Sequence, residues 1–121
     1  MNCRIARINR LKKRKDFRRL FEEGTFASNA FIAVHLFPNP ENRRRIGFSA
    51  GKKLGCAVIR NRCKRRLREC YRINQAVVPL NMDMVIVARR AMVQATWDKV
   101  VKAFLDVTRR SLQIAKKKRG E

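Results

Sequence analysis

The chain has 121 residues, 45% of them hydrophobic, and its 31 Lys and Arg against 9 Asp and Glu give a formal net charge of +22. This length fits one domain with a single core, and the apolar fraction excludes a disordered basic tail. With no apolar run of 18 residues and no apolar segment near the N-terminus, the sequence predicts neither a membrane span nor a secretory signal. We therefore expect a cytoplasmic protein.

The predicted elements alternate along one domain, residues 1–121, whose ends at 1–12 and 115–121 are expected to be loose and basic. An apolar stripe of Phe17, Leu20 and Phe21 predicts a helix over 13–23. Strand-like composition covers 31–37 and 43–49, which are expected to pair as antiparallel neighbours. A long helix is predicted over 56–73, a strand covered on both faces over 84–88, and a last helix from about 96.

Four cysteines are present, at positions 3, 56, 63 and 70. On the long helix, Cys56, Cys63 and Cys70 would share one face at intervals of roughly 10 Å, too far apart for a disulfide or a shared zinc ion. They are therefore expected to be small, buried apolar residues in a reducing compartment.

Basic residues are densest between positions 43 and 72, where twelve of them face Glu69 alone. Four lie at intervals of four along the long helix and predict a cationic ridge, which phosphate groups would stabilise. A solvated basic face is the alternative. The twelve residues are Arg43, Arg44, Arg45, Lys52, Lys53, Arg60, Arg62, Lys64, Arg65, Arg66, Arg68 and Arg72.

A net charge of +22 predicts a polyanionic partner. Nucleic acid is the first candidate and an anionic membrane surface is the second. No catalytic set is evident: His35 is the single histidine, and the carboxylates are scattered. Residues 51–55 would suit an anion but lack the Walker A spacing. Five apolar residues are either core residues or a stacking platform for unpaired bases: Phe17, Phe21, Phe31, Ile32 and Val34.

Residues 51–69 closely resemble the signature of the bacterial ribonuclease P protein subunit. The centre of that signature is Arg60-Asn61-Arg62, followed by Lys64-Arg65 and Arg68. Further similar segments lie at 10–24, 46–49 and 85–89, so the resemblance extends from about residue 10 to residue 112. A basic ribosomal protein and a stand-alone nuclease are the competing hypotheses.

The resemblance implies an α+β sandwich with a four-stranded mixed sheet in the order α-β-β-β-α-β-α and a left-handed βαβ crossover, against the usual handedness. It also implies a non-catalytic subunit of an endoribonuclease. Its partners would be a catalytic RNA and precursor tRNA, with no membrane and no small-molecule substrate. The protein would bind no cofactor, because Mg²⁺ would be held by the RNA, which removes the 5′ leader of the tRNA.

The resemblance also assigns roles to individual residues. Contacts to the catalytic RNA are implied for Arg60, Asn61, Arg62, Lys64, Arg65 and Arg68. A cleft that takes the leader is implied for Phe17, Phe21, Ser49, Lys52, Lys53 and Arg89. The chain departs from the family near position 34, where many members have an aromatic residue and this one has Val34, and His35 need not replace it. The cysteines are not part of the family pattern.

Overall fold

The computed structural model describes residues 10–11 and 13–118, which form three α-helices and one four-stranded sheet. The order α-β-β-β-α-β-α that the resemblance implies is confirmed. The elements are α1 (Arg14–Glu23), β1 (Thr25–Ser28), β2 (Ile32–Pro38), β3 (Arg45–Ala50), α2 (Ala57–Asn74), β4 (Met82–Ala88) and α3 (Trp97–Lys118), with short 3-10 turns at Lys52–Leu54, Gln75–Val77 and Arg90–Gln94.

The strands lie in the order β1-β2-β4-β3, with β3 parallel to β4 and the other pairs antiparallel. The expectation that β2 and β3 are neighbours is therefore wrong, because β4 lies between them. Six of the seven β4 residues are buried, so this strand gains most from a central position with both faces covered. The loop from β2 to β3 instead crosses the start of β4, where the Asn39 N–H donates to the Asn81 carbonyl over 2.8 Å.

Helices α2 and α3 cover one face of the sheet and form the main core. Leu67 and Tyr71 of α2 and Phe104 of α3 are fully buried in one cluster with Val34 and Ile86 of the sheet. Each such side chain contributes about 1.5–3 kcal/mol through burial. Helix α2 links the parallel neighbours β3 and β4, so its position is determined at both ends.

Helix α1 covers only part of the opposite face. Its Leu20 is buried against Val85 of β4, together with Leu11, and Phe17 and Phe37 pack around them. This second cluster is small, and ten residues of helix cannot cover four strands. A partly open surface therefore remains on the α1 side of the sheet.

The cysteine prediction holds for two positions and fails for a third. Cys63 and Cys70 are buried, and burial raises the pKa of the Cys70 thiol to about 11. Cys56 is exposed at the start of α2, where the backbone N–H groups of Ile59 and Val58 lower the pKa of its thiol. Its position just before the first helical turn, outside the buried stripe, explains the difference. Cys3 lies outside the described residues.

At both ends of the chain, some residues of the segments expected to be loose are among the described residues. The Leu11 N–H donates to the Ile46 carbonyl over 2.8 Å, so residues 10–11 add to the outer edge of β3. At the other end, α3 continues through Lys118, and Ala115 is buried. Residues 1–9, 12 and 119–121, which complete the predicted ends, lie outside the described residues.

A buried carboxylate holds the β2–β3 loop to the sheet. Asp83 accepts hydrogen bonds from Arg45 Nε at 2.7 Å, from Arg45 Nη2 at 2.6 Å and from Asn39 Nδ2 at 2.9 Å. The hydrogen bond with Asp83 raises the pKa of Arg45. Three donors therefore satisfy one carboxylate whose side chain is only 6% exposed.

We predict that Asp83→Ala lowers the free energy of unfolding by about 2–4 kcal/mol, because it leaves the donors of Arg45 and Asn39 without their acceptor. Urea unfolding measures the change. The matched control is Asp106→Ala, which removes a carboxylate that is 59% exposed and pairs with Arg110 on the surface of α3. That variant should lose less than about 1 kcal/mol. Equal losses in the two variants would contradict this account of Asp83.

Candidate RNA-binding surface

Helix α2 presents its buried stripe to the sheet and its cations to solvent. Gly55, with a φ of 139° that side-chain-bearing residues rarely adopt, lets the chain turn into the helix. Cys63, Leu67, Cys70 and Tyr71 then recur at helical spacing and are buried. Because one face is fixed against the core, the opposite face is fixed toward water.

The six residues implied to bind RNA lie on the outer side and one flank of α2. Four are exposed and two, Arg60 and Lys64, are half-buried. At 3.6 residues per turn, Asn61, Arg65 and Arg68 fall within about 60° of one another around the helix axis. The structure therefore brings these implied positions onto one continuous surface. The four exposed residues are Asn61, Arg62, Arg65 and Arg68.

The predicted ridge of Arg60, Lys64, Arg68 and Arg72 is not uniform. Arg72 pairs with Glu69, the one acid of this helix, and the hydrogen bond with Arg72 lowers the pKa of that carboxyl. Arg68 lies over the Phe48 ring, 5.7 Å from its centre, which leaves its guanidinium edges for other partners. In the part of the chain that the structure describes, the buried Nε of Arg60 has no hydrogen-bond partner.

Five of the twelve basic residues between positions 43 and 72 donate to a carboxylate or a backbone carbonyl of the protein, which composition did not show. Arg43 pairs with Glu41, Arg45 with Asp83 and Arg72 with Glu69. The Arg44 side chain donates to the Val78 carbonyl, and Arg66 donates to the carbonyls of Met92 at 3.2 Å and Ala95 at 2.6 Å. Among the described residues, the other seven form no ion pair with an acid: Lys52, Lys53, Arg60, Arg62, Lys64, Arg65 and Arg68.

A groove of about 200 Å³ joins α2 to the α1 side of the sheet. Phe17 forms one wall, and Lys64 and Arg68 of α2 lie along the other. Gly47 forms the floor, where a Cβ atom would come within 2.6 Å of Phe17 Cζ. The groove therefore connects one residue of the implied leader cleft with two residues of the implied RNA-binding helix.

A second hollow of about 330 Å³ lies at the carboxyl ends of β3 and β4. It brings together Lys53 and Arg89, two of the residues implied to line the leader cleft, beside Leu54 and Val87. Lys52 is exposed on the adjoining turn, and half-buried Ser49 lies near the end of β3. The cationic end of the implied cleft is thus assembled from two loops far apart in sequence.

Val34 and His35 lie on opposite faces of the sheet. Val34 is fully buried under α2 and α3 and faces away from α1. His35 points to the α1 side, where its ring centre is 4.6 Å from that of Phe21 and 4.9 Å from that of Phe26. Partial burial lowers the pKa of His35, which favours the neutral imidazole. A ring is therefore present in this part of the sheet, one position further along.

Sequence reasoning missed Phe26 because it missed β1. That strand has only four residues, Thr25–Ser28, and its alternation of buried and more exposed positions is too short to stand out. The signal that was available is an aromatic residue two positions after Gly24, the glycine that ends α1.

Comparison with known proteins gives the same family at the level of sequence and of structure. A family model described as Ribonuclease P matches residues 5–112. The chain is 36% identical over 103 residues to the ribonuclease P protein component of Alkaliphilus oremlandii, covering 85% of this chain and 90% of that protein.

Two solved structures are similar throughout. The RNase P protein of Staphylococcus aureus aligns with a TM-score of 0.75 and 32% identity, covering 89% of this chain and 95% of that one. The RNase P protein of Thermotoga maritima aligns with a TM-score of 0.76 and 30% identity, covering 84% and 96%. With the fold and the charged helix in agreement, this chain belongs to the family of bacterial ribonuclease P protein components.

Proposed function

We propose that this protein binds the catalytic RNA of ribonuclease P through α2 and holds the 5′ leader of precursor tRNA in the cleft on the α1 side of the sheet. The RNA would then hydrolyse the phosphodiester bond that produces the mature tRNA 5′ end. The observation that carries the proposal is the set of seven cations without acidic partners among the described residues, of which Lys53, Lys64 and Arg68 line the groove or the hollow.

Phosphate is the ligand that suits this surface. Arginine predominates on its α2 part, and a planar guanidinium can donate two parallel hydrogen bonds to one phosphate. Arg62 and Arg65 have their side chains in water, so contact with RNA would not require the core to open. Cations that repel one another in the free protein would be neutralised in the complex.

Unpaired nucleotides are the form of RNA that suits the cleft. Phe17 and Phe21 have ring centres 6.5 Å apart, and half of the Phe21 side chain is exposed. Aromatic rings that border a cationic groove bind single strands, because every base has a face that can stack. Bases in a duplex are already stacked on each other and would not reach these rings. A single-stranded leader therefore fits better than the tRNA body.

We also propose that hydrolysis is performed by the RNA. Mg²⁺ held by that RNA would activate the attacking water. Within the described residues, the carboxylates of Glu41, Glu69, Asp83 and Asp106 are each paired with an arginine. No group of three metal-ligating side chains occurs in the same part of the chain. In this proposal the protein binds and positions the RNA.

Reconstitution tests this function. The full chain is purified, and cleavage of a precursor tRNA is followed with the protein alone, with the cognate RNA alone, and with both in Mg²⁺ at low ionic strength. We expect no cleavage by the protein alone and efficient cleavage by the combination, at the position that gives the mature 5′ end. Cleavage by the protein without RNA would refute the division of labour, and failure to stimulate the RNA would refute the proposed function.

Two adjacent arginines provide a matched pair of variants. Arg65 is exposed, whereas Arg66 donates hydrogen bonds to the carbonyls of Met92 and Ala95. We expect Arg65→Ala to weaken binding to the catalytic RNA about fivefold to tenfold, the value of one charge-assisted contact, while the stability to urea stays unchanged.

Arg66→Ala should show the opposite pattern. It leaves two carbonyls without their donor and is expected to lower the free energy of unfolding by about 1–3 kcal/mol. Its RNA affinity, measured where both variants are folded, should fall less than that of Arg65→Ala. If Arg65→Ala binds like the wild-type protein, the outer face of α2 is not the RNA surface.

A further inference from the structure

The row of aromatic rings in the cleft continues beyond α1 to the edge of the sheet. Phe26 of β1 lies directly opposite His35 of β2 in the strand register. Their ring centres are 4.9 Å apart, and the His35 ring meets the Phe21 ring at 4.6 Å with an angle of 85° between planes. His35 thus lies in contact with two phenyl rings, one on α1 and one on the edge strand.

These phenyl rings are not part of the core. Phe26 is 51% exposed and Phe21 is 46% exposed, so each keeps a large apolar face in contact with water. A planar partner that covered them would remove that face from water and would stack on a ring already oriented by its neighbour. The buried Nδ1 of His35 has no hydrogen-bond partner among the described residues.

The charge next to the rings indicates what the planar partner is. Arg18 precedes Phe21 by three positions and Arg14 precedes Phe17 by three, so each cation lies beside a ring on the surface of α1. Both arginines are exposed, and within the described residues neither forms an ion pair. Alternating rings and cations match the alternation of bases and phosphates in an unpaired RNA strand.

We propose that Phe26 is an additional base-stacking position, which extends the leader contact of this protein past Phe21 to the edge strand β1. This inference rests on the proposed function of the cleft, because the ligand is the same leader. The cleft expected from the resemblance contains no residue of β1. With Phe26 included, the affinity for precursor tRNA depends on one more leader nucleotide than it would with Phe17 and Phe21 alone.

A leader-length series tests the proposal. The protein is assembled with its catalytic RNA, and the affinity for precursor tRNAs is measured as the leader is shortened one nucleotide at a time. The wild-type complex should lose about fivefold to tenfold in affinity when the nucleotide that stacks on Phe26 is removed. The Phe26→Ala complex should bind precursors with long leaders about fivefold to tenfold more weakly than the wild-type complex does. Its affinity should not fall further when the nucleotide that stacks on Phe26 is removed.

Two controls make the result specific. Phe26→Tyr keeps the ring and should restore the step. Leu80→Ala removes an apolar side chain of similar exposure, 44%, outside the row of rings, and should leave the whole series unchanged.

The outcomes separate the inference from the proposed function. If the wild-type complex depends on leader length but the Phe26→Ala series coincides with it, the inference about Phe26 is wrong and the leader cleft stands. If Phe26→Ala weakens binding equally at every leader length, stacking of one nucleotide is likewise refuted. If the wild-type complex shows no dependence on leader length, both proposals fail.

Discussion

The apolar stripe of α2 is the constraint on which the surface of this protein depends. Leu67 and Cys70 are completely buried against the sheet, and α2 connects two parallel strands that lie side by side. The helix can therefore neither rotate about its axis nor slide without exposing that stripe, at a cost of about 1.5–3 kcal/mol for each large side chain. The direction in which its arginines point is a consequence of the packing of its other face.

The basic residues divide into two groups with different roles. One group holds the fold together: Arg45 pairs with Asp83 at the start of β3 and β4, and Arg66 ties α2 to the turn before α3. The other group, which includes Arg62, Arg65 and Arg68, projects from α2 without acidic partners among the described residues. The net charge counts both groups equally and does not distinguish them. The arrangement of acceptors around each guanidinium distinguishes them, and it leaves Arg68, without an acidic partner among the described residues, at the groove.

Features that depend on local periodicity could be predicted from the sequence. The buried stripe of α2, the implied exposure of Arg65 and the central, doubly covered β4 all follow from spacing of 3.6 or from an unbroken apolar run. Features that depend on pairing between distant segments could not. Nothing local to β2 and β3 shows that β4 enters between them, and nothing local to Arg45 shows that its partner lies 38 residues away. Short elements were also missed, as β1 and its Phe26 show, because four residues carry too little pattern.

The central claim is that the binding surface is electrostatic and is made for a chain of phosphates. The most direct measurement is the affinity of the full chain for a single-stranded leader RNA over a range of salt concentrations. If about six phosphates are neutralised, the logarithm of the association constant plotted against the logarithm of the salt concentration should have a slope of about −4. A slope near zero would contradict the account, because it would mean that these unpaired arginines and lysines do not bind phosphate.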